Sequence, residues 1–462
     1  MFLPREESDD LEKKGQSVIE QVTYNKRSEF VQLLFDVKPT AITNFPGIES
    51  FCDYLEHDAF QPLMGPTFGL IWGMISCANP KEIADCWDWS LAVLQVLRSE
   101  QSGISIHDLF QRLEQSGNSK QKLGPEQDKS YVYIAIFGVL CWSSLVVRPR
   151  LIFTDDVAPN LTCLLPLGFK STNASTSHRI SDRCMRPILT TFRSFKPQHW
   201  GDQSDDRTQI GATEMDSLYQ ASLNIHVLRH FGKVTIQWVD TISEHLRFNP
   251  ANRRLSLFRF PTFCALLVIH GDNVCSAIRS VADQFDPLSQ EDRDQCCVSL
   301  EQEIILSYRL LFGQDGKSRK LARGEVCKLK SSLAKQNVDV MLLDLCERKY
   351  EHGSLWWKRY DKVLRSYPSE IWPITCRTIE GHLQQNDVYN ARDSFPRLGP
   401  RLIKLQQFSS RQRPSKLTDL WRDRRNPLQW YTFWAVLLVG GVANVLAALQ
   451  LAVGVAQLKA SL

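Results

Sequence analysis

A short loop with two glycines, a lysine and a serine, Gly313-Gln-Asp-Gly-Lys317-Ser318, is the segment closest to a phosphate-binding site. A Walker A loop has four residues between its glycines, and the position required for the first glycine holds Leu311. The segment also follows a predicted helix instead of a strand, so its backbone N–H groups are not expected to surround a phosphate. We therefore predict no nucleotide chemistry at this loop.

His226 and His230 have the spacing that presents two imidazoles on one helical face, as a metal site requires. No glutamate lies between them in the metalloprotease arrangement and no third ligand is evident, so we interpret them as packed or surface histidines. Adjacent carboxylates such as Asp155-Asp156 are typical of solvated loops. No catalytic, cofactor-binding or metal-binding residue is predicted, and an enzyme whose site is assembled from distant residues is kept as an alternative.

The thirteen cysteines are scattered from Cys52 to Cys376 without a Cys-x-x-Cys pair. That spacing fits neither a disulfide framework nor a zinc site. Several lie in apolar runs, where a thiol behaves as a small buried hydrophobe, so we predict reduced core cysteines in a reducing compartment. The net charge of +4 is small for 462 residues and gives little support to nucleic-acid binding.

The residues from Pro427 to Leu458 contain no charged side chain. Within them, residues 430–456 are mostly Val, Leu, Ala, Gly and aromatic, and as a helix they extend about 40 Å against about 30 Å of bilayer hydrocarbon. Trp430 and Trp434 lie at the N-terminal border, where amphipathic rings favour the headgroup region, and Lys459 closes the other end. One transmembrane helix over 430–456 is predicted.

A basic juxtamembrane segment over residues 397–429 precedes this helix, with nine Lys or Arg against two Asp. Arg422, Arg424 and Arg425 lie nearest to the apolar residues. The positive-inside tendency predicts that this flank stays in the cytosol and that a short tail over 457–462 reaches the far side. This tail-anchored, single-pass topology fits the endoplasmic reticulum and the mitochondrial outer membrane equally. The flank either attracts anionic lipid or only orients the helix.

Within the predicted helix, Gly440, Asn444, Ala448 and Ala452 recur every four residues and form a stripe of small side chains that includes an amide. Small residues let helix backbones approach closely, and an asparagine can donate a hydrogen bond across the contact. The stripe favours self-association or a membrane partner, and the alternative is that small residues are simply common in such helices.

The rest of the chain divides by composition. A flexible acidic N-terminus over residues 1–14 precedes a mainly helical unit over 15–169, whose amphipathic runs are separated by Pro and Gly. Residues 170–217 are rich in Ser, Thr, Asp, Gln and Arg and are interpreted as a linker or long loop. Residues 218–396 form a mixed α/β unit, and both units are placed in the cytosol. The predicted fold class is α+β and mainly helical.

Leu91 to Leu97 and Ile106 to Leu113 show helical apolar spacing on either side of a Ser-Gly turn, which is a helix-turn-helix pattern. A third helix and a hairpin from residues 131–147 would complete a winged helix, but Arg112 is the only cation of the second helix, so nucleic-acid binding is a weak alternative. We interpret 131–147 as a buried helix that runs into a strand, with a second membrane span as the alternative.

The clearest strand pattern lies between residues 233 and 260. Leu246 and Phe248 before an Asn-Pro turn, and Leu255 and Leu257 after it, alternate with polar residues and predict an antiparallel hairpin. Helical spacing of apolar residues returns over 301–312, 339–349 and 397–407.

Two blocks of the sequence resemble a large group of uncharacterised ascomycete fungal membrane proteins. The first is the tail Arg411-Gln-Arg-Pro, with Leu417-Thr-Asp-Leu-Trp-Arg-Asp-Arg-Arg-Asn-Pro-Leu-Gln-Trp-Tyr-Thr-Phe-Trp434, and the second is Leu257-Phe-Arg-Phe-Pro-Thr-Phe-Cys264. The resemblance covers mainly the second half of the chain and implies a fungal source and a tail-anchored topology. It brings no activity or catalytic residue. Together these features favour a membrane-tethered interaction or scaffold module with a protein partner over an enzyme.

Overall fold

The computed structural model is mostly helical, and within the described residues it contains a small three-stranded sheet, two strand pairs and one long apolar helix. This confirms the predicted α+β, mainly helical class. The residues that the structure describes are 21–39, 43–64, 83–99, 106–115, 126–146, 148–150, 162–164, 217–271, 273–275, 279, 296–333, 336–346, 367–412 and 427–461.

Amphipathic helices make up the N-terminal unit. In one of them, Trp87, Leu91 and Leu94 are three to four residues apart, so they share the buried face of the helix. Another helix widens into a π turn over Leu55–Ala59, which carries Glu56 into the interior. The helices are α1 (21–35), α2 (Ile48–Tyr54), α3 (Ile83–Ser99), α4 (Ile106–Gln115) and α5 (Glu126–Ser144).

The uncharged run at 131–147 lies in α5 and the residues after it. Every residue from Ala135 to Val146 is buried, and strand β1 (Arg148–Arg150) follows almost at once. The interpretation as a buried helix that runs into a strand is confirmed. The backbone N–H of Ile242 donates to the carbonyl of Leu145 (2.8 Å), which joins the end of α5 to the second unit.

The predicted hairpin is present. Strand β5 (Phe248–Asn249) pairs antiparallel with β6 (Arg254–Phe258), and the Asn249 side chain accepts the N–H of Ala251 (3.0 Å) in the turn between them. Strand β4 (Thr235–Val239) adds to the other edge of β6 in parallel register. The remaining pairs are antiparallel: β1 with β2 (Thr162–Leu164), and β3 (Ser217–Tyr219) with β7 (Val388–Asn390).

The rest of the second unit is mostly helical. The helical spacing predicted at 301–312, 339–349 and 397–407 is confirmed, as far as those residues are described, by α9 (Leu300–Tyr308) with its π turn Arg309–Gly313, by α11 (Val340–Cys346) and by α13 (Gly399–Arg411). The helices are α6 (Gln220–Leu223), α7 (Ile225–His230), α8 (Pro261–His270), α9 (Leu300–Tyr308), α10 (Gly316–Ser332), α11 (Val340–Cys346), α12 (Ala391–Ser394) and α13 (Gly399–Arg411).

One hydrophobic core runs through both units, which we call the body. The rings of Phe35 and Phe263 meet edge to face with centroids 5.4 Å apart. An Asp53 carboxylate oxygen accepts the backbone N–H of Asn337 (2.7 Å), so polar contacts also cross between the units. The predicted linker lies outside the described residues up to 216, and the limits of the two units stay a prediction.

The last helix, α14 (Pro427–Ser461), is different in kind from those of the body. It is 35 residues long, and from Ala435 to Lys459 every side chain is exposed. The predicted transmembrane segment 430–456 lies entirely within it.

Candidate membrane anchor and buried polar clusters

The apolar surface of α14 is the feature of the structure that most needs a partner. Residues Tyr431–Lys459 form 29 residues of apolar helix, none of it buried against the body. At 1.5 Å per residue they extend about 44 Å, more than the hydrocarbon thickness of about 30 Å. Across the described part of the chain no other helix is both long and apolar enough to cross a bilayer. The helix therefore has the length and surface of a single membrane span.

The expected membrane-border residues are only partly described. Trp430 and Trp434 lie one turn apart in the first two turns of α14, and the Trp434 ring contacts Phe433 with centroids 6.2 Å apart. Tryptophans at the start of an apolar span fit the headgroup level. Arg422, Arg424 and Arg425 lie outside the described residues, so the charge at this border stays a prediction.

The small-residue stripe lies on the outside of α14. Gly440, Asn444, Ala448 and Ala452 are all exposed, and a Cβ added at Gly440 would meet nothing within 4 Å. Since successive members are four residues apart, they advance along one side of the helix. The surface is open to a second helix, and helix association at this stripe stays a prediction.

Glu303 on α9 is a buried carboxylate, which makes it a candidate acid or base. Its oxygens accept the backbone N–H of Leu398 (2.7 Å) and the backbone N–H and guanidinium of Arg397 (3.0 and 3.3 Å). Burial raises the pKa of Glu303 to about 8, and Arg397 with the two N–H groups acts in the opposite direction. Both oxygens are thus engaged, and the cluster fastens α9 to the start of α13.

Asp339 is a second buried carboxylate with a structural task. It accepts the N–H and hydroxyl of Thr262 (2.8 and 2.7 Å) and the N–H of Met341 (2.9 Å), and so caps the start of α11. Burial raises its pKa to about 7. Gly47 packs so closely here that a Cβ would lie 2.1 Å from the Asp339 carboxylate, so this position requires glycine. The cluster joins the N-terminal unit to α8 and α11.

His245 and Ser307 make a contact that resembles a nucleophile with its base. The backbone N–H of Phe258 donates to His245 Nδ1 (3.1 Å), so the imidazole proton is on Nε2, which donates to Ser307 Oγ (2.8 Å). The Ser307 hydroxyl then donates to the carbonyl of Ile304 (2.7 Å). A general base must accept the serine proton, so this direction of donation opposes nucleophile activation.

Burial lowers the pKa of His245 to about 3, and the nearby Arg401 guanidinium acts in the same direction. The imidazole therefore stays neutral near pH 7. Arg401 also donates to the backbone carbonyl of His245, so the residue is held on every polar atom by structural hydrogen bonds.

His226 and His230 stack with parallel rings whose centroids are 5.7 Å apart. Within the described ranges, no group of three or more His, Cys, Asp or Glu side chains is arranged to hold a metal ion. Both side chains are half-buried on α7, and their interpretation as packed or surface histidines stays a prediction.

The glycine loop at 313–318 contains its own anion. The Asp315 carboxylate accepts the N–H of Ser318 (2.8 Å) and caps α10, and Arg319 donates to the carbonyl of Gly313 (3.0 Å). A phosphate at this helix start would have to displace the carboxylate. The loop follows the π turn of α9, as the sequence predicted.

The order of elements matches the winged-helix alternative, but the helices do not offer the exposed basic surface that it requires. Helices α3, α4 and α5 pack together and are followed by the antiparallel pair β1–β2. However, the third helix, α5, is buried from Ala135 onward, and the second helix, α4, exposes Asp108 as well as its one cation Arg112. A buried helix cannot enter a groove, and a helix with balanced charges does not attract phosphates, so this arrangement gives no support to nucleic-acid reading.

Sequence reasoning missed the ion pairs that join distant parts of the body. Arg27 lies 3.1 Å from Asp53 and 3.2 Å from Glu49, and it also pairs with Glu56, which accepts the indole N–H of Trp87 (2.8 Å). A local motif cannot show such a cluster because its members come from three helices.

No family model matches the chain, and comparison with curated proteins and with solved structures gives no match.

Proposed function

We propose that this protein is a tail-anchored, single-pass membrane protein whose body is an interaction or scaffold module on the cytosolic face. The observation that carries the proposal is the exposed apolar surface of α14, since burying such a surface in hydrocarbon is strongly favourable and the body leaves it uncovered. The body then becomes a folded unit held beside a bilayer, available to a protein partner and to anionic lipid at its basic flank.

The free cysteines support the proposed location of the body in the cytosol. Ten cysteines of the described residues are free thiols, and Cys52, Cys264 and Cys346 are among those buried in the core. A body rich in reduced cysteines suits a reducing compartment. The buried polar clusters support a scaffold role, because their polar atoms are engaged in joining helices.

Protease protection tests the proposal. The chain carries a tag at each end and is inserted into sealed microsomes, and a chain that stops after Arg425 is the matched control. We expect external protease to digest the body and spare the distal tag, and the control to stay soluble. A protected body, or a control that stays with the membranes after alkaline extraction, would contradict the proposal.

A further inference from the structure

A basic face on α10 is the strongest feature that the anchoring proposal does not use. The helix buries Ser318, Ala322, Val326 and Leu329 against the body. Its opposite side exposes five cations at helical spacing: Lys317, Lys320, Arg323, Lys328 and Lys330.

No acidic side chain of α10 lies on that face. The one acidic residue in the helix, Glu325, belongs to the buried side, with a side chain 11% exposed. It is already shared between Arg229 and Lys328, which lies 2.9 Å away. The remaining exposed positions between the cations are small, such as Gly324, Cys327 and Ser331, so the face presents concentrated positive charge without an apolar ridge.

The residues of this face favour one kind of partner over the others that a basic surface can bind. A helix that inserts into a bilayer needs apolar residues outward, and those of α10 are buried, so contact has to be electrostatic and superficial. Single-stranded nucleic acid is bound by cations interleaved with aromatic rings, and the exposed face of α10 has none. A flat anionic surface fits a face of cations with small residues between them.

The bilayer that α14 crosses would provide this anionic surface, because the chain connects α14 directly to the body. Residues 412–426 connect α13 to α14, and fully extended they reach about 50 Å. Helix α10 packs on α7, and α6 packs on α13, so the basic face is part of the unit that this connection tethers. Tethering raises the effective concentration of the face at the bilayer.

We propose that the basic face of α10 binds the anionic headgroups of the same membrane that α14 crosses, so that the body lies against the bilayer. The proposal rests on anchoring by α14. Each cation near an anionic surface is worth about 1 kcal/mol, or about fivefold in the ratio of docked to undocked body. Lys328 is already paired with Glu325, and Arg323 has contacts of its own. The three lysines Lys317, Lys320 and Lys330 alone favour the docked body by about a hundredfold, which is enough to hold a tethered body.

Cys327 is a built-in reporter, since it is exposed at the centre of the face between Arg323 and Lys330. The full chain is reconstituted into vesicles of phosphatidylcholine, alone or with phosphatidylserine, and treated with a membrane-impermeant maleimide. Labelling is measured by peptide mass spectrometry as the ratio of labelled Cys327 to labelled Cys297, an exposed cysteine before α9. Chains inserted with the body inside the vesicle are labelled at neither cysteine, so they do not change the ratio.

We expect phosphatidylserine to lower the ratio at least fivefold, and about 1 M salt, where the screening length is about 3 Å, to restore it. The variant Lys317→Gln, Lys320→Gln, Lys330→Gln should lose the effect. A matched variant of three exposed cations outside α10, Lys38→Gln, Lys233→Gln, Arg254→Gln, should keep it.

Equal labelling in the two kinds of vesicle, with the chain resistant to alkaline extraction, would overturn the docking proposal and leave the anchor intact. Loss of the chain on extraction would overturn both. Protection of Cys327 by added RNA in neutral vesicles, without protection by phosphatidylserine, would assign the face to nucleic acid and overturn the proposal.

Discussion

Helices α5 and α14 both contain an apolar stretch, yet that of α5 is buried in the body and that of α14 faces outward. The apolar part of α5, Ala135–Ser144, is ten residues long and spans about 15 Å, half of the hydrocarbon thickness. The apolar part of α14 is 29 residues long. Apolar composition therefore does not decide where a helix lies. Length decides whether it can cross a bilayer, and packing partners decide whether it is buried.

The largest expected effect is a charge placed in the buried helix. Ile136 is fully buried, so Ile136→Arg puts an unpaired cation into the core and should destabilise the body by about 4 kcal/mol or more. Pulse proteolysis of the full chain in micelles should show loss of the resistant body. Wild-type resistance would mean that α5 is not a core helix.

The same charge in α14 should weaken membrane insertion and leave the stability of the body unchanged. Leu446 is exposed near the middle of the helix, and Leu446→Arg should cost about 3 kcal/mol of membrane insertion while the body keeps its protease resistance. Alkaline extraction measures the membrane fraction, with Leu446→Ile as the neutral control. Unchanged extraction, or a destabilised body, would break the contrast between the two helices.

Two glycines of the body differ in the space around them, so the same substitution should have opposite effects on stability. Gly47→Ala pushes a Cβ against Asp339 and Thr262 and should destabilise the body by about 2 kcal/mol. Gly324→Ala in α10, where a Cβ meets nothing within 4 Å, should instead stabilise it by about 0.5–1 kcal/mol. Urea midpoints that move in the same direction would contradict the close packing of the two units at Gly47.

The smallest effect at neutral pH is that of His245, because it develops only as the pH falls. The folded state keeps His245 neutral with a pKa of about 3, against 6.5 as the ordinary value, so between these values the unfolded chain binds one more proton. Stability from His245 is complete above pH 6.5 and falls by about 1.4 kcal/mol per pH unit below it.

His245→Asn should remove this slope, and the difference between the two chains isolates it because Glu303 and Asp339 titrate in both. The raised pKa of Glu303 acts oppositely, since its contribution is lost as pH rises toward 8. Urea unfolding at several pH values measures the difference. A variant with the wild-type slope would show that His245 is accessible to protons in the folded body.

The membrane helix and the hairpin could be predicted from sequence because each depends on a local pattern. An uncharged run longer than the bilayer needs no partner to be recognised, and alternation around Asn249-Pro250 specifies β5 and β6. The parallel pairing of β4 with β6 was missed, since nothing near residue 235 shows which strand lies beside it.

The buried clusters were missed for the same reason. Gly47, Thr262 and Asp339 meet only in the folded chain, and no spacing along the sequence connects them. The basic face of α10 could have been found, because Lys317, Lys320 and Arg323 alternate at helical spacing with apolar residues. That pattern is local, and it differs from the residue spacings of catalytic and metal sites.

Hydrogen exchange of the full chain in lipid nanodiscs tests the central claim most directly. Without urea, amides of residues 135–144 and 431–459 should both be protected. Urea beyond the midpoint of the body should deprotect 135–144 and leave 431–459 protected, because a helix in hydrocarbon cannot exchange its backbone hydrogen bonds for water. Simultaneous loss of protection in the two segments would show that α14 depends on the body and does not span the bilayer.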